Sequence, residues 1–547
     1  MTTIATRPAG TSGSGRSAAG GGAGRRLRLA TAVSVGALTA ALGAGTVVAG
    51  PASAAPACPG STGLSTALLD IDRDGVKDVV AGAPRFDATT PPTLNAGAVA
   101  IRYGDLGSQV ITPGKLGVGQ PTVRGHFGAA AAIGDMSGDG CADIAVGEPG
   151  TGTVYLLNGS EGGITGAGAQ LLHGPQAGDQ FGAAVAETDR VTTGAPPTAR
   201  DLWIGAPGTD VPSPAGTVAD VGAVYHYAVG ADGVARLLEV LTPGVSPMLS
   251  SQSHQGDRFG EVLAGRSNGV TVGQPSFDTA GTVNSGAVTS MTVDITTGLV
   301  SGAQTFTQAS AGVPGAPQDH DRFGASVAGD SGTVAVGVPG DHVAGKAAGA
   351  VQLLTTNSSN QLTAGPRITQ SSPRVPGRNE PQDQFGASVV VSPGSLLCSR
   401  VTEEDGYSIV IGTPGEDVGG RRAGQDVGAV TVVDRSSNGG DHAGSCAPVV
   451  WRQGHGFAGT AERDDRLGTA LGAIRGGQQN EDDYVVTLLA GAPAEDVHGV
   501  RNAGVASVRQ SGVAGTPMLP RFLGFPRGGI AGLRFGTVFA AYQVGYH

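Results

Sequence analysis

The stretch Phe323-Gly324-Ala325-Ser326-Val327-Ala328, followed after a short loop by Val334-Ala335-Val336-Gly337-Val338-Pro339, contains the two signals that decide the fold. Each part is a run of small and β-branched residues bounded by glycine or proline, which is typical of a short β-strand. The Phe-Gly pair opens the first run and the Gly-x-Pro triplet closes the second. The stretch therefore predicts two neighbouring strands with a turn at each end.

Both signals recur along the chain. The Gly-x-Pro triplets begin at Gly82, Gly147, Gly205, Gly273, Gly337, Gly412 and Gly491. The Phe-Gly pairs begin at Phe127, Phe181, Phe259, Phe323, Phe385 and Phe535, with Leu467-Gly468 as a conservative seventh. A strand that usually begins Gly-Ala-Val follows each Gly-x-Pro turn. Self-similarity at a spacing of roughly 50–80 residues predicts repeated supersecondary units.

Each unit is expected to hold four strands, the fourth in a less regular stretch such as 237–241. Four short strands at this period favour propeller blades over a solenoid. The first unit lacks a preceding Phe-Gly pair, whereas the chain ends on Phe535-Gly536 with no triplet after it. The sequence therefore predicts an all-β, seven-bladed β-propeller with four antiparallel strands per blade, whose ring is closed by the C-terminal strand.

The first 54 residues have the features of an export signal. They contain no acidic residue, and an apolar run over about 29–49 is followed by Ala52-Ser53-Ala54, an Ala-x-Ala cleavage site. The Arg25-Arg26 pair leaves both the general secretory and the twin-arginine routes open. We expect residues 1–54 to be a signal peptide and residues 55–547 to be a single propeller that is secreted from the cell.

The charge of the chain narrows the range of partners. The 547 residues include 34 Lys+Arg and 45 Asp+Glu, a net charge of −11; without the five leader arginines, 29 against 45 leaves −16. An acidic chain is a poor partner for nucleic acid. No apolar run after residue 55 is long enough to cross a membrane. We expect a monomer whose partner is a protein, a carbohydrate or a surface ligand.

The four cysteines all lie in the predicted exported part. An even number in an oxidising compartment favours two disulfides, for which three connectivities are possible. We expect Cys58–Cys141 and Cys398–Cys446, each joining neighbouring repeats, with four buried thiols as the alternative.

Two loops have the ligand spacing of a calcium site. The first places Asp70, Asp72, Asp74 and Asp78 at positions 1, 3, 5 and 9, with the carbonyl of Val76 at position 7. The second loop repeats the pattern. Its candidate ligands are Asp135, Ser137, Asp139, the carbonyl of Cys141, and Asp143. Calcium takes six to eight oxygen ligands, so alternating acids on a tight loop predict Ca²⁺ at both places.

The paired signals resemble the FG-GAP repeat of integrin alpha-chain propellers and their bacterial relatives. The resemblance covers about residues 64–540, although Leu467 replaces a phenylalanine and four triplets lack the middle alanine. It implies a seven-bladed propeller, calcium in some blades, and adhesion or ligand binding. The loops also resemble the Asp-x-Asp-x-Asp-Gly loops of such blades. They are not EF-hands, because position 12 holds Ala81 or Val146 in place of glutamate.

Two further sets of acids recur. An aspartate lies two residues before five of the Phe-Gly or Leu-Gly turns, at Asp179, Asp257, Asp321, Asp383 and Asp465. Aspartate accepts main-chain N–H groups in tight turns, so a structural role is favoured over a ligand surface. Acids also follow the Gly-x-Pro turns, at Asp210, Asp341, Glu416-Asp417 and Glu495-Asp496. Either a binding rim or a solvated edge fits these residues.

The sequence leaves three functions open. The first is a secreted, calcium-binding, integrin-like module that binds a ligand or partner without catalysis. The second is a hydrolase of the esterase or phospholipase kind, or a hydrolase accessory protein. The third is a structural component of an envelope or matrix. No serine or histidine motif has the context of a catalytic site; Gly329-Asp330-Ser331-Gly332, for example, has no histidine and acid placed to serve it.

Overall fold

The structure is a computed structural model. It describes residues 47–48, 58, 69–89, 91–104, 107–190, 199–214, 216–230, 232–249, 253–279, 281–330, 332–357, 361–397, 406–417, 425–436, 447–480, 483–510, 516–518, 525 and 532–540. The chain divides into Met1–Ala41, which lies outside the described residues, and Leu42–His547, which contains every element below.

Seven antiparallel sheets form seven blades, here numbered in chain order with strands given in hydrogen-bonded order. Blade 1 comprises Val538–Phe539, Val79–Ala83, Ala98–Arg102 and Ser108–Ile111; blade 2 comprises Ala130–Gly134, Asp143–Glu148, Thr153–Leu157 and Gln170–His173. Blade 3 comprises Ala184–Arg190, Ala199–Ala206, Ala223–Val229 and Ala235–Leu241; blade 4 comprises Val262–Arg266, Gly269–Gln274, Ala287–Val293 and Val300–Phe306. Blade 5 comprises Ser326–Gly329, Thr333–Val338, Ala350–Thr356 and Leu362–Ile368; blade 6 comprises Ser388–Pro393, Gly406–Thr413, Ala429–Ser436 and Val449–Gln453; blade 7 comprises Leu471–Asn480, Asp483–Ala492, Val505–Gln510 and Thr516–Met518.

Several shorter elements accompany the blades. They are the hairpins Ala88–Thr89 with Pro92–Thr93, Val211–Ser213 with Gly216–Val218, and His342–Val343 with Lys346–Ala347; strand Gly456–Phe457, parallel to the last strand of blade 6; helix Pro113–Leu116; and the 3₁₀ turn Ala177–Asp179. No described helix has the length and apolar character needed to cross a bilayer.

The ring closes as the sequence predicts. The first strand of every blade packs against the first strand of the next, and the C-terminal strand Val538–Phe539 supplies the first strand of blade 1. Ala81 pairs with Phe539 and Gly82 pairs with Val538, both antiparallel. The two ends of the propeller thus share one sheet, which leaves no open edge at the junction.

The Gly-x-Pro glycine is needed where one blade meets the next. A Cβ on Gly205 of blade 3 would lie 1.9 Å from the carbonyl oxygen of Gly260, the Phe-Gly glycine of blade 4. The same contact recurs at all seven junctions, at 1.8–2.2 Å, including Gly491 of blade 7 against Gly536 of the closing strand. Only a residue without a side chain allows the two backbones to approach this closely.

The Phe-Gly aromatic ring fills the interior next to that contact. All six phenylalanines and Leu467 are almost fully buried. Phe259, for example, forms a parallel bridge to Gly222, the Gly-Ala-Val glycine of the preceding blade. Buried rings and aliphatic strand residues therefore form a core between blades, and each blade is stabilised by its neighbours.

Two predictions concern the parts of the chain around this ring. Most of the expected signal peptide lies outside the described residues, but Val47–Val48 pairs antiparallel with the outer strand of blade 2. Cys58 and Cys141 form the expected disulfide, with their Cα atoms 5.9 Å apart. Cys398 and Cys446 lie outside the described residues, so their pairing stays a prediction.

Candidate functional site

The first acidic loop, 70–78, leads directly into the second strand of blade 1. The N–H of Asp78 donates to the carbonyl of Leu69 at 2.7 Å and closes the loop at its base. Gly75 has φ +85°, a left-handed conformation that glycine adopts at little cost. This turn brings the main chain of the loop back towards its own carboxylates.

Three carboxylates of this loop each use one oxygen within the loop. The bonded oxygens are Asp70 Oδ2, Asp72 Oδ1 and Asp78 Oδ2, which accept the N–H groups of Gly75, Asp74 and Ile71 at 2.9, 3.4 and 2.6 Å. The other oxygens, Asp70 Oδ1, Asp72 Oδ2 and Asp78 Oδ1, are buried and have no hydrogen-bond donor. A buried acceptor without a donor is costly, so each of these oxygens needs a positive partner.

The same three residues converge in space. One carboxylate oxygen from each lies within 4.8 Å of the others. Burial, followed by the charges of the neighbouring aspartates, raises the pKa of Asp72 to about 6. Burial likewise raises the pKa of Asp78 to about 8 and that of Asp70 above its usual value. A hard cation with oxygen ligands would remove this repulsion, so the residues fit the group that the sequence predicts.

The remaining predicted ligands of the first loop are placed differently. Asp74 is not one of the three converging acids; its Oδ1 accepts the N–H of Val76 at 2.7 Å. A Cβ on Gly104 would lie 2.2 Å from Asp74 Oδ2, so the connection after the third strand of blade 1 packs closely on the loop. Val76 is 51% exposed. Ligation by Asp74 and by the Val76 carbonyl stays a prediction.

The second loop has the same sequence pattern, but its carboxylate oxygens accept a different set of hydrogen bonds. Both oxygens of Asp143 accept main-chain N–H groups, from Gly159 at 2.9 Å and Ser137 at 2.7 Å. Asp135 Oδ2 accepts the N–H of Gly140 at 3.2 Å, which leaves Asp135 Oδ1 and Ser137 Oγ buried without a partner. Burial raises the pKa of Asp143 to about 7, against the effect of those N–H donors.

The two loops are therefore not equivalent. Within the residues that the structure describes, Asp135, Asp139 and Asp143 do not converge as the three acids of the first loop do. Asp139 lies instead beside the sulfur atoms of Cys58 and Cys141, which are joined in a disulfide and offer no thiolate to a metal. Cation binding by the second loop, including the Cys141 carbonyl, stays a prediction.

The two loops are nevertheless joined to one another. The N–H of Ala142 in the second loop donates to the main-chain carbonyl of Asp70 at 3.0 Å. A Cβ on Gly159 would lie 2.2 Å from the carbonyl oxygen of Ala142 and 2.9 Å from that of Ile71. Blades 1 and 2 thus meet through tightly packed main chain at their acidic loops.

The aspartates before the Phe-Gly turns have a structural role. Asp257, Asp321, Asp383 and Asp465 each accept the N–H of the residue three positions earlier, at 2.6, 2.7, 2.6 and 2.5 Å. Asp179 has the equivalent partner, Gln176. These contacts confirm the turn interpretation that the sequence favours.

The acids after the Gly-x-Pro turns also bind within the protein. Asp210, Asp417 and Asp496 accept the N–H groups of Asp220, Asp426 and Asn502 at 2.9, 3.0 and 2.9 Å. Asp341, Glu416 and Glu495 accept the Nε2 amides of Gln308, Gln370 and Gln453, each from the preceding blade, at 3.3, 2.6 and 2.7 Å. The sequence analysis missed these glutamines. The parallel stretches 307–315 and 369–377, both Thr-Gln followed by Val-Pro-Gly, are the signal that could have found two of them.

The fold and the site define the class of this protein: a closed seven-bladed β-propeller with a cluster of carboxylate oxygens close to the contact between blades 1 and 2. A match to a known repeat family is consistent with this class. The family model described as the FG-GAP repeat matches residues 62–101 and 127–157. Both matched segments contain strands of the two blades that bear the acidic loops.

Curated relatives include integrin alpha chains. Integrin alpha-6 of Gallus gallus is 38% identical over 125 residues, which is 22% of this chain and 11% of that protein. Integrin alpha-3 of Mus musculus is 35% identical over 119 residues, 21% of this chain and 11% of that protein. The phosphatidylinositol-glycan-specific phospholipase D of Bos taurus is 36% identical over 115 residues, 18% of this chain and 13% of that protein. The matches thus span about a tenth of each relative's length.

Among solved structures, the Dos1 propeller aligns with a TM-score of 0.32 at 11% identity, over 70% of this chain and 80% of that chain. The Aleuria aurantia lectin aligns with a TM-score of 0.33 at 9% identity, over 83% and 97%. The blade count rests on the strand pairing of this chain. The repeat match and the integrin relatives support the FG-GAP β-propeller family.

Proposed function

We propose that this protein is a secreted, calcium-binding propeller that binds a ligand or partner, or mediates adhesion, without catalysis. The observation that carries the proposal is the set of unpartnered, buried oxygens on Asp70, Asp72 and Asp78. The integrin relatives support the binding role, and the cleavage-site pattern of the first 54 residues supports secretion.

The residues that would hold the cation are those the sequence predicts. In the first loop these are Asp70, Asp72, Asp74, the Val76 carbonyl and Asp78; in the second they are Asp135, Ser137, Asp139, the Cys141 carbonyl and Asp143. When bound, calcium supplies the positive charge that neutralises the carboxylates. The unequal use of oxygens makes the first loop the stronger of the two sites.

The cation would act on the geometry of the ring. The first acidic loop opens the second strand of blade 1, and the Gly82-Ala83-Pro84 turn closes that strand at its other end. Because the acidic loops of blades 1 and 2 are hydrogen-bonded to each other, fixing one loop also fixes the junction. The loops at the opposite ends of the strands are then held in one arrangement for a protein, carbohydrate or surface ligand.

Thermal unfolding with and without calcium tests this proposal. A ligand that binds only the folded state stabilises it by about 2.7 kcal/mol at a hundredfold excess over its dissociation constant. We expect calcium to raise the melting temperature of the wild type and to raise that of Asp72→Asn by less, because the variant retains only the weaker second loop. We also expect Asp72→Asn to melt at or above the wild type in chelator, because the variant removes a buried charge.

Asp319→Asn is the matched control, since Asp319 is exposed and lies in the loop before the Phe-Gly turn of blade 5. It should respond to calcium as the wild type does. An identical calcium response in wild type and Asp72→Asn would refute the first site.

A hydrolase function is the second candidate, and the phospholipase D relative is the observation that favours it. Purified protein should be assayed on ester and phosphodiester substrates, including glycosylphosphatidylinositol-linked protein. Turnover that one serine or histidine substitution abolishes would replace the binding proposal with this one.

A further inference from the structure

The residue immediately before each Phe-Gly or Leu-Gly pair has an unusual backbone conformation. The seven residues are His126, Gln180, Arg258, Arg322, Gln384, Arg466 and Arg534, with φ between 49° and 59°. Residues other than glycine are uncommon in this left-handed region, and they stay there only where the surrounding structure holds them. Seven copies at one position of a repeat show that the fold itself imposes the conformation.

Main-chain hydrogen bonds on both sides hold four of these residues, His126, Arg258, Arg322 and Arg466. The N–H of Arg322 donates to the carbonyl of Asn284 in the preceding blade at 3.1 Å, and its own carbonyl accepts the N–H of Ala325 at 3.0 Å. Arg258 is held in the same way by Asp220 and Glu261 at 3.0 and 3.1 Å. The direction in which each side chain leaves the backbone is therefore set by the ring.

These positions lie at the same end of the innermost strands of the ring. Each lies just before the first strand of its blade, and the first strands pack on one another around the ring axis. Two neighbouring members interact directly, since Arg258 Nη2 donates to Gln180 Oε1 of the preceding blade at 2.9 Å. Across the closing junction, partial burial and then the positive charges of Arg85 and Arg466 lower the pKa of Arg534.

Four of the seven positions hold arginine, and Arg85 lies close enough to Arg534 to affect its pKa. We call Arg85, Arg258, Arg322, Arg466 and Arg534 the arginine collar. Arg258 pairs with Glu261 at 3.0 Å. Arg466 lies 3.5 Å from Asp426, and the side chains of this second pair are partly exposed to solvent. Within the described part of the chain, the other three members of the collar make no ion pair with an acid.

We propose that the arginine collar is the docking site for an acidic segment of a partner protein, recognised through its aspartate and glutamate carboxylates. This rests on the proposed function of the propeller as a binding module. The arginines come from blades 1, 4, 5 and 7, so a segment that carries several carboxylates can reach more of them than a single small anion. Each guanidinium offers a planar fork of donors that matches a carboxylate in two-point contact.

The repulsion among the collar arginines also favours this occupant. Like charges held together by the fold are unfavourable until an opposite charge lies between them. The other members of the set, Gln180, Gln384 and His126, carry side-chain N–H groups that suit the main-chain carbonyls of a peptide.

Fluorescence anisotropy with a labelled oligoglutamate peptide tests the proposal, using the full chain. We expect binding that weakens as salt rises, and no binding of oligoglutamine of the same length. Arg322→Ala and Arg534→Ala should each weaken binding about tenfold, the effect of losing one charge-assisted contact of about 1.4 kcal/mol. Both side chains are exposed, so neither change removes a buried contact.

Arg236→Ala is the control, because it removes the same charge from an exposed pair with Asp232 on the outer edge of blade 3. Equal affinity in this control and in the two collar variants would overturn the proposal. So would binding of inorganic triphosphate but not of the peptide, which would assign the collar to phosphate ligands. Calcium-dependent melting tests the proposed function separately, because the collar and the acidic loops share no residue.

Discussion

Replacing the Gly-x-Pro glycine of one blade should weaken the junction to the next. In Gly205→Ala, the new Cβ would start 1.9 Å from the carbonyl oxygen of Gly260 and 3.4 Å from the Cβ of Ala184. An ordinary contact between carbon and oxygen needs more than 3 Å, so blades 3 and 4 must move apart locally by about 1 Å. Neither atom belongs to a flexible side chain that could turn away.

The cost follows from this geometry. Overpacking a tight interior costs about 1–3 kcal/mol, and a clash between two backbones belongs at the upper end. For a ring of several hundred residues, an unfolding entropy of about 2 cal/mol/K per residue sums to about 1 kcal/mol/K. A loss of about 3 kcal/mol should therefore lower the melting temperature by about 3 °C, measured by scanning calorimetry in calcium. Combining it with Gly337→Ala, whose Cβ would meet Gly386 O at 2.0 Å, should roughly double the shift.

The control is Gly178→Ala in the 3₁₀ turn of blade 3, where an added Cβ meets nothing within 4 Å. This variant should melt with the wild type or slightly above it, since alanine restricts the unfolded chain. If Gly205→Ala and Gly178→Ala have the same melting temperature, then the Gly-x-Pro turn requires glycine for some reason other than the close approach of the blades.

Three further outcomes are expected. Burial raises the pKa of Asp383 to about 7 from an ordinary 3.8, so the stabilising contribution of this residue is complete below about pH 4 and is lost as the pH rises through 7. Asp383→Asn should therefore flatten the decline of the melting temperature between about pH 4 and 7. A melting temperature that depends on pH as in the wild type would contradict this expectation. Cys58→Ser should lower the free energy of unfolding by up to about 4 kcal/mol, because the disulfide joins residues 83 apart, and equal urea midpoints for variant and wild type would contradict this. Truncation before Gly532 removes the closing strand and exposes the edge of Val79–Ala83, so we expect loss of cooperative melting and self-association by light scattering; a monomer with wild-type melting would rule out this closure.

The fold could be predicted because its signals are local and repeated. The glycines and phenylalanines of each blade have fixed spacing, and the offset between the first and last copies was enough to predict that Val538–Phe539 would complete blade 1. The same holds for the first acidic loop, where alternation of Asp70 and Asp72 and the distance to Asp78 follow from a tight turn. The turn role of Asp383 and its equivalents was also predictable, since it involves a neighbour three residues away.

Other features depend on which segments meet in space. The two acidic loops have nearly the same sequence pattern, yet both carboxylate oxygens of Asp143 accept hydrogen bonds. One of them accepts the N–H of Gly159, which lies in the connection after the third strand of blade 2. Asp78 keeps one oxygen without a hydrogen-bond donor. Nothing in either nine-residue stretch distinguishes these outcomes.

The amino-acid sequence alone determined that this protein repeats one strand pattern seven times and that Asp70, Asp72 and Asp78 of the first loop converge, because both features depend on residues close together in the chain. Only the tertiary structure decided that Gly205 closely approaches the backbone of Gly260, that the two acidic loops are unequal, and that Arg466 and Arg534 lie close enough to interact. These are contacts or placements involving different blades, and closing the ring is what brings such residues together.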